Sequence, residues 1–459
     1  MHPDCLPDGC LLSWSFVIVK NTTCFRDFVK YTSFNIAAMI SVSCYILADT
    51  FFVAKGLGVE GLAALNFAIP IYGFTVGSGL LLGIGGATRY SILKSQGEID
   101  KANQVFTNTV FIMAGFIAVF FTAGFFFADT VTRIFGTDDA VFEMTKIYLQ
   151  TILLFSPMFL LQYVLQCFIR NDGAPQLSMA AMVSGSLTNI LLDYVFIFLL
   201  EMGMFGAALA TGLASVVSLL ILSSFFVKKK NNFHLKKYPI SGRLTKGILG
   251  AGFPSLVTEL SVGVVMIIFN TIILRLEGNI GVAAFGIVAN ISIVLISIYT
   301  GIAQGIQPIL CTNYGNANTA NVKAILRYAL ILMAAISGLV YFSVFFWASG
   351  IVNIFNSEQN MVLQNVATNG IRLYFTASIF AGFNIIMSIY FTSTDHVRPA
   401  HLISILRGFF LIIPMVFLLS YYGGMTGVWL AYPATELIVA AIGLILYRCF
   451  KNRCIQIAS

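Results

Sequence analysis

The sequence is poor in charge. Only 10% of its 459 residues are Asp, Glu, Lys or Arg, whereas 58% are hydrophobic. A water-exposed globular domain of this length needs a far more polar surface and is excluded. Histidine is scarce, at four residues, and no HExxH run occurs, which removes the usual zinc-hydrolase signature. The eight cysteines include no CxxC and no ligand-like spacing. They read as reduced or lipid-buried apolar side chains, not as a metal site or a disulfide framework. No GxxxxGK[ST] run is present, so the chain shows no phosphate cradle of its own for ATP hydrolysis.

Long apolar runs are what it has instead, with 42 phenylalanines and a mean hydropathy of +0.89. About 20 apolar residues span the ~30 Å hydrocarbon layer. Twelve such runs are predicted, near 29–54, 61–86, 105–127, 147–169, 177–200, 206–227, 247–275, 281–307, 324–347, 367–391, 401–421 and 427–449. The expected fold class is an all-α polytopic membrane protein. The early run LLSWSFVIV is too short to span and lacks a small-residue cleavage site, so no cleaved signal peptide is expected.

The basic residues fix an orientation. Twenty of the 26, Arg170 among them, fall in segments on the N-terminal side of the membrane. Lys55, Arg133, Lys146, Arg275 and Arg372 fall on the other side, and Arg407 lies inside a span. By the positive-inside rule both termini are expected in the cytoplasm. The net charge of +7 then reflects topology, with no nucleic-acid partner implied. NTT at Asn21 is correspondingly not expected to be glycosylated.

A polar stretch at 228–246, KKKNNFHLKKYPISGRLTK, divides six spans from six. GVEGLAALN from Gly58 aligns with GNIGVAAFG from Gly278, and GEIDKAN from Gly97 with GNANTAN from Gly315. Pro175 pairs with Pro399, and GAALAT from Gly206 with GVWLAY from Gly427. Near-constant shifts predict two homologous six-helix lobes in parallel orientation, as alternating-access transporters use. The expected divisions are an N-terminal segment 1–28, an N-lobe 29–227, a linker 228–246, a C-lobe 247–449 and a tail 450–459. In this repeat Asp49 corresponds to Asn270 and Asp193 to the neighbourhood of Pro414. Gly73 and Gly77, then Gly79 and Gly83, form small-xxx-small pairs suited to close helix packing.

Two acids stand inside apolar spans: Asp49 near the end of the first and Asp193 in the fifth. A carboxylate in hydrocarbon costs from ~3 to over ~10 kcal/mol, so its presence marks an ion or substrate route. Asn189, one helical turn before Asp193, shares its face. These oxygens suit a small monovalent cation, or equally a cluster whose acids hold protons. Glu259 lies in the middle of the seventh span, and Gln162 and Gln166 share one face of the fourth. Both glutamines are candidates for the cavity wall or for interhelical hydrogen bonds. Arg407 and Glu436 are read as structural, their estimated depths being different.

Several segments resemble the multidrug and toxic compound extrusion (MATE) family, particularly its MepA-like and DinF-like bacterial branch. They are ADTFFVAKGLGVEGLAALNFAIP, FIRNDGAP, LTNILLDYVFIFLLEMGMFGAALATGLA and GFPSLVTEL. The likeness runs from about residue 28 onward. It implies a secondary antiporter, not an enzyme, that expels small amphipathic and often cationic compounds in exchange for Na⁺ or H⁺. It further implies a cation site at Asp49, Asn189, Asp193 and Thr211, a role for Glu259 in the C-lobe, and no cofactor besides the coupling ion. A monomer is expected. Two alternatives stay open: a flippase of lipid-linked oligosaccharides from the same superfamily, and an integral-membrane lipid enzyme, for which His396 and His401 are the sole candidates.

Overall fold

The computed structural model describes residues 22–134, 139–356 and 359–458. The residues before Thr22, with Lys20 and Asn21, lie outside the described set. The described residues are helical almost throughout. Eight helices are long and apolar enough to cross a membrane, and a ninth crossing is a bent pair.

Three of these helices are each two spans fused across a glycine. Gly58, Gly278 and Gly424 adopt φ of 69°, 62° and 52° with ψ near −150° or −135°. Side chains other than hydrogen are excluded there by backbone sterics, although a Cβ at each would meet no neighbouring atom. Division at these points gives twelve crossings. Helices 1 and 2 are 22–57 and 59–95, and helix 3 is Ile99–Phe126. Helix 4 is 139–171, bent by 50° at Phe155, two residues before Pro157. Helices 5 and 6 are Pro175–Leu199 and Gly203–Val227. The second set is 242–277, 279–315, Thr319–Phe355, Met361–Ser393, 397–423 and 425–458, helices 7 to 12.

The repeat is visible in the backbone. Gly58 and Gly278 turn alike at an offset of 220, and Gly203 (φ 60°) matches Gly424 at 221. Helices 3 and 9 start at Ile99 and Thr319, again 220 apart. The left-handed turn at Gly97 (φ 81°) therefore matches Ala317 (φ 55°), not Gly315. Helix 5 starts at Pro175 and helix 11 at Val397, so Pro399 sits two residues inside its helix. Sequence matching paired identical letters; helix starts correct both registers by two. At the 220 offset Asp49 falls against Phe269, beside Asn270.

Each lobe has its own buried apolar core. The first turns of helix 1 cross between them: Cys24 and Phe28 belong to the core of the second lobe, and Ile248 of helix 7 belongs to that of the first. In lipid, helix association rests on close packing and hydrogen bonds, since no apolar surface leaves water. Accordingly, a Cβ on Gly252 of helix 7 would strike the carbonyl of Leu81 in helix 2, and one on Gly85 would strike that of Ile248. Gly73 and Gly77 back onto Glu259 and Leu256, while Gly79 and Gly83 back onto Tyr163 and Cys167.

Between helices 6 and 7 the chain runs without regular structure but is fixed to the first lobe. Phe233 is fully buried among Tyr90, Phe106, Phe168 and Phe225. Asn232 N–H donates to Asp172 (2.8 Å) and His234 N–H to Asn103 (2.7 Å). Lys236 Nζ donates to Asp100 (3.1 Å), and this carboxylate raises the lysine above its usual range. The end of the bundle that carries this connection is called the linker side.

Candidate functional site

Asp49 lies nine residues before Gly58, roughly 14 Å along helix 1 at 1.5 Å per residue. Asp193 lies toward the end of helix 5, just before a π-helical turn at Val195–Leu199. Both are therefore in the half of the first lobe away from the linker. Asp49 is 9% exposed and Asp193 fully buried, and the two carboxyls are close neighbours. Asn189 Nδ2 donates to Thr211 Oγ1 (3.2 Å), whose hydroxyl donates to Ala207 O (3.2 Å). The four residues expected together do come together.

What they lack is a donor. Asp49 Oδ1, both oxygens of Asp193 and Asn189 Oδ1 are buried acceptors with no hydrogen-bond partner among the described residues. Four unsatisfied oxygens in an apolar lobe are costly, at about 1–3 kcal/mol each and more when charged. A hard cation, or protons on the acids, supplies what the protein does not. Among the described residues no group of three His, Cys, Asp or Glu side chains could hold a metal ion. The chemistry on offer is binding of one monovalent cation or protonation.

Sequence reading missed the tyrosines around this pair. Tyr148 of helix 4 is buried beside Thr211, with both acids near it. Tyr45 lies one turn before Asp49 and close to Asp193 and Glu259, its hydroxyl 3.3 Å from that of Tyr72. Tyr163 also lies near Glu259. Glu259, half-buried on helix 7, thus faces hydroxyls of the opposite lobe. The i, i+4 spacing of Tyr45 and Asp49 was the one available signal.

Gln166 is turned away from this cavity. Its amide points at Met182 Sδ (2.6 Å) in helix 5, and it is 4% exposed. Gln162 is half-buried on the same helix.

Two arginines differ from expectation. Arg170 is no loop charge: it is fully buried at the linker-side end of helix 4. Nη1 donates to Gln304 Oε1 (2.6 Å) and Asn35 Oδ1 (3.1 Å), and Nη2 to Gln307 Oε1 (3.3 Å). Gln307 Nε2 in turn donates to Thr88 Oγ1 (2.8 Å). Helix 8 of one lobe is thereby bonded to helices 2 and 4 of the other. Arg89 adds an ion pair with Asp395 at 2.6 Å. Arg407 pairs with Glu436 (2.9 Å), which also accepts from Asn384 Nδ2 (2.7 Å). A π-helical turn at Leu406–Phe410 includes Arg407, and the reach of its side chain closes the expected difference in depth.

The comparisons with known proteins agree with this architecture. A family model described as MatE matches residues 35–195 and 254–418. The multidrug export protein MepA of Staphylococcus saprophyticus is 26% identical over 424 residues, covering 91% of this chain and 92% of that protein. A crystal structure of MATE in complex with MaL6 superimposes with a TM-score of 0.87 at 23% identity, covering 93% and 96% of the two chains. The outward-facing conformation of a multidrug resistance MATE family transporter gives 0.86 at 24%, covering 93% and 95%.

Proposed function

This chain belongs to the MatE family, and on that premise we propose that it is a secondary antiporter. It exports small amphipathic, chiefly cationic compounds in exchange for Na⁺ or H⁺, moving its two lobes against each other. The observation that carries the proposal is the set of four donor-less oxygens on Asp49, Asn189 and Asp193. Such a set has no structural use that a substitution by apolar residues would not serve better.

The coupling ion enters from the side away from the linker, which is extracellular in this reading, and neutralises the two carboxylates. A bound cationic substrate loses its counter-charge and leaves. Coupling needs only that ion and substrate differ in affinity for each state, and competition for the same acids supplies that difference. Glu259 and the hydroxyls of Tyr45, Tyr72 and Tyr163 form the polar part of the substrate cavity.

The return step opens the linker side, where Arg170, Gln304 and Gln307 bond across the lobes. Both termini and the linker lie in the cytoplasm of a bacterial plasma membrane in this scheme, and the chain works as a monomer. A lipid-linked sugar flippase is less favoured because Glu436 matches the charge of Arg407 and amides enclose Arg170.

The test is efflux of a fluorescent organic cation from everted vesicles under an imposed Na⁺ or pH gradient. One gradient should drive it. Efflux indifferent to both would refute the antiport.

A further inference from the structure

The outer face of the first lobe carries an apolar groove that the transport scheme does not use. Its volume is about 300 Å³. It is lined by Leu161, Val164 and Leu165 of helix 4, Phe106 and Val110 of helix 3 and Phe226 of helix 6, with the linker residues Asn231, Phe233, His234 and Leu235 as its roof. The groove stands at the linker-side end of the bundle, since helix 6 ends at Val227. Val227, Leu235 and Ile240 beside it are 80%, 62% and 61% exposed. Apolar side chains so placed on a membrane protein meet acyl chains.

Beside the groove the unpaired charge is of one sign. Helix 6 closes with Lys228 and Lys229 capping Ser224 and Phe226 carbonyls, and Lys229 takes a left-handed φ of 51°. That turn leads directly into the linker residues that line the groove, and Lys228, Lys229 and Lys230, between its lining residues Phe226 and Asn231, are exposed. None of their ammonium groups has an ion pair or hydrogen bond among the described residues, and the same holds for the exposed Lys237. One lysine would suffice to complement the negative end of the helix 6 dipole. The acids of this region are already engaged: Asp172 with Lys94 and Asn232, Asp100 with Lys236 and Tyr238.

We propose that this groove is a binding site for one anionic phospholipid, an acyl chain lying along helix 4 and the phosphate held by Lys228–Lys230. Charge complementarity selects the ligand: a zwitterionic headgroup brings no net charge to a cluster of unpaired lysines, whereas an anionic one does. Because the roof is the connection between lobes, pinned by Phe233, the bound lipid would stiffen the joint about which they move. The placement of the linker on the cytoplasmic side of the membrane follows the orientation proposed above, but the binding test below does not depend on it, nor on transport.

The full-length protein in detergent is titrated with phosphatidylglycerol and with phosphatidylcholine, and bound lipid is counted by native mass spectrometry. Phosphatidylglycerol should bind at least ~10-fold more tightly. Lys229→Gln/Lys230→Gln should remove most of that preference, and Leu165→Trp, which fills the groove, should lower the affinity for both lipids. Lys323→Gln/Arg327→Gln, equally basic but on the other lobe, should change nothing. An equal loss in this control would mean diffuse surface charge and overturn the proposal. So would unchanged binding by Leu165→Trp, which would mean that phosphate alone is recognised.

Discussion

Arg170 of helix 4 donates a 2.6 Å hydrogen bond to Gln304 of helix 8, joining the two lobes through a fully buried guanidinium that has no acidic partner among its hydrogen bonds. A carboxylate in place of that amide would bind the arginine more strongly in the low-dielectric interior. Neutral acceptors hold both Nη groups while Nε has no partner among the described residues, which suits a contact that parts in the proposed cycle.

Removal of the amide should therefore open the linker side. Hydrogen bonds to charged groups contribute about 1.5–3 kcal/mol, so Gln304→Leu should raise the opened population by roughly tenfold or more. Spin labels at the exposed positions Gln96 and Asn316 would report it as a longer interlobe distance. Gln304→Glu should do the reverse and slow transport.

Asp193→Asn keeps shape and burial but halves the charge of the acid pair. Gradient-driven export should be abolished in proteoliposomes, while the protein remains folded by thermal melt. Full ion-driven export by this variant would refute coupling at Asp193.

Tyr148→Phe removes the hydroxyl that lies beside Thr211 and the two acids. A neutral hydrogen bond is worth about 1 kcal/mol, so the ion concentration giving half-maximal export should rise about fivefold with little change in maximal rate.

Glu436→Gln leaves Arg407 buried without its counter-charge. Breaking one side of a buried pair costs about 3–5 kcal/mol, whereas replacing both by apolar residues is often neutral. The single variant should melt at clearly lower temperature than Arg407→Met/Glu436→Leu.

Gly252→Ala should also favour opening, by another route. Its methyl would run into the Leu81 carbonyl, so helices 2 and 7 must separate. Cysteine labelling at Gln96 should become faster.

Much of this was legible in the sequence. Runs of twenty apolar residues dictate crossings because hydrocarbon leaves the backbone no partner but itself. The glycines at 58 and 278 marked the repeat, and the structure adds that both are left-handed turns. Asp49 and Asp193 were conspicuous because a charge in lipid has few uses. Register by letter matching failed at Gly315 and Pro399, where helix starts, not identical residues, carry the alignment. Arg170 was misread for a related reason: a basic residue at the end of a span looks like a loop charge until the facing helix is known.

Sequence alone determined the class, the twelve crossings and the identity of the buried acids, since each follows from the cost of placing polar groups in hydrocarbon. Only the tertiary structure decided which oxygens would be left without donors, that Tyr148 joins them, and that Gln304 and Gln307 close on Arg170. Those facts depend on contacts between separate helices, from 22 positions apart for Asn189 and Thr211 to 137 for Arg170 and Gln307, and local periodicity holds no information about which helix faces which.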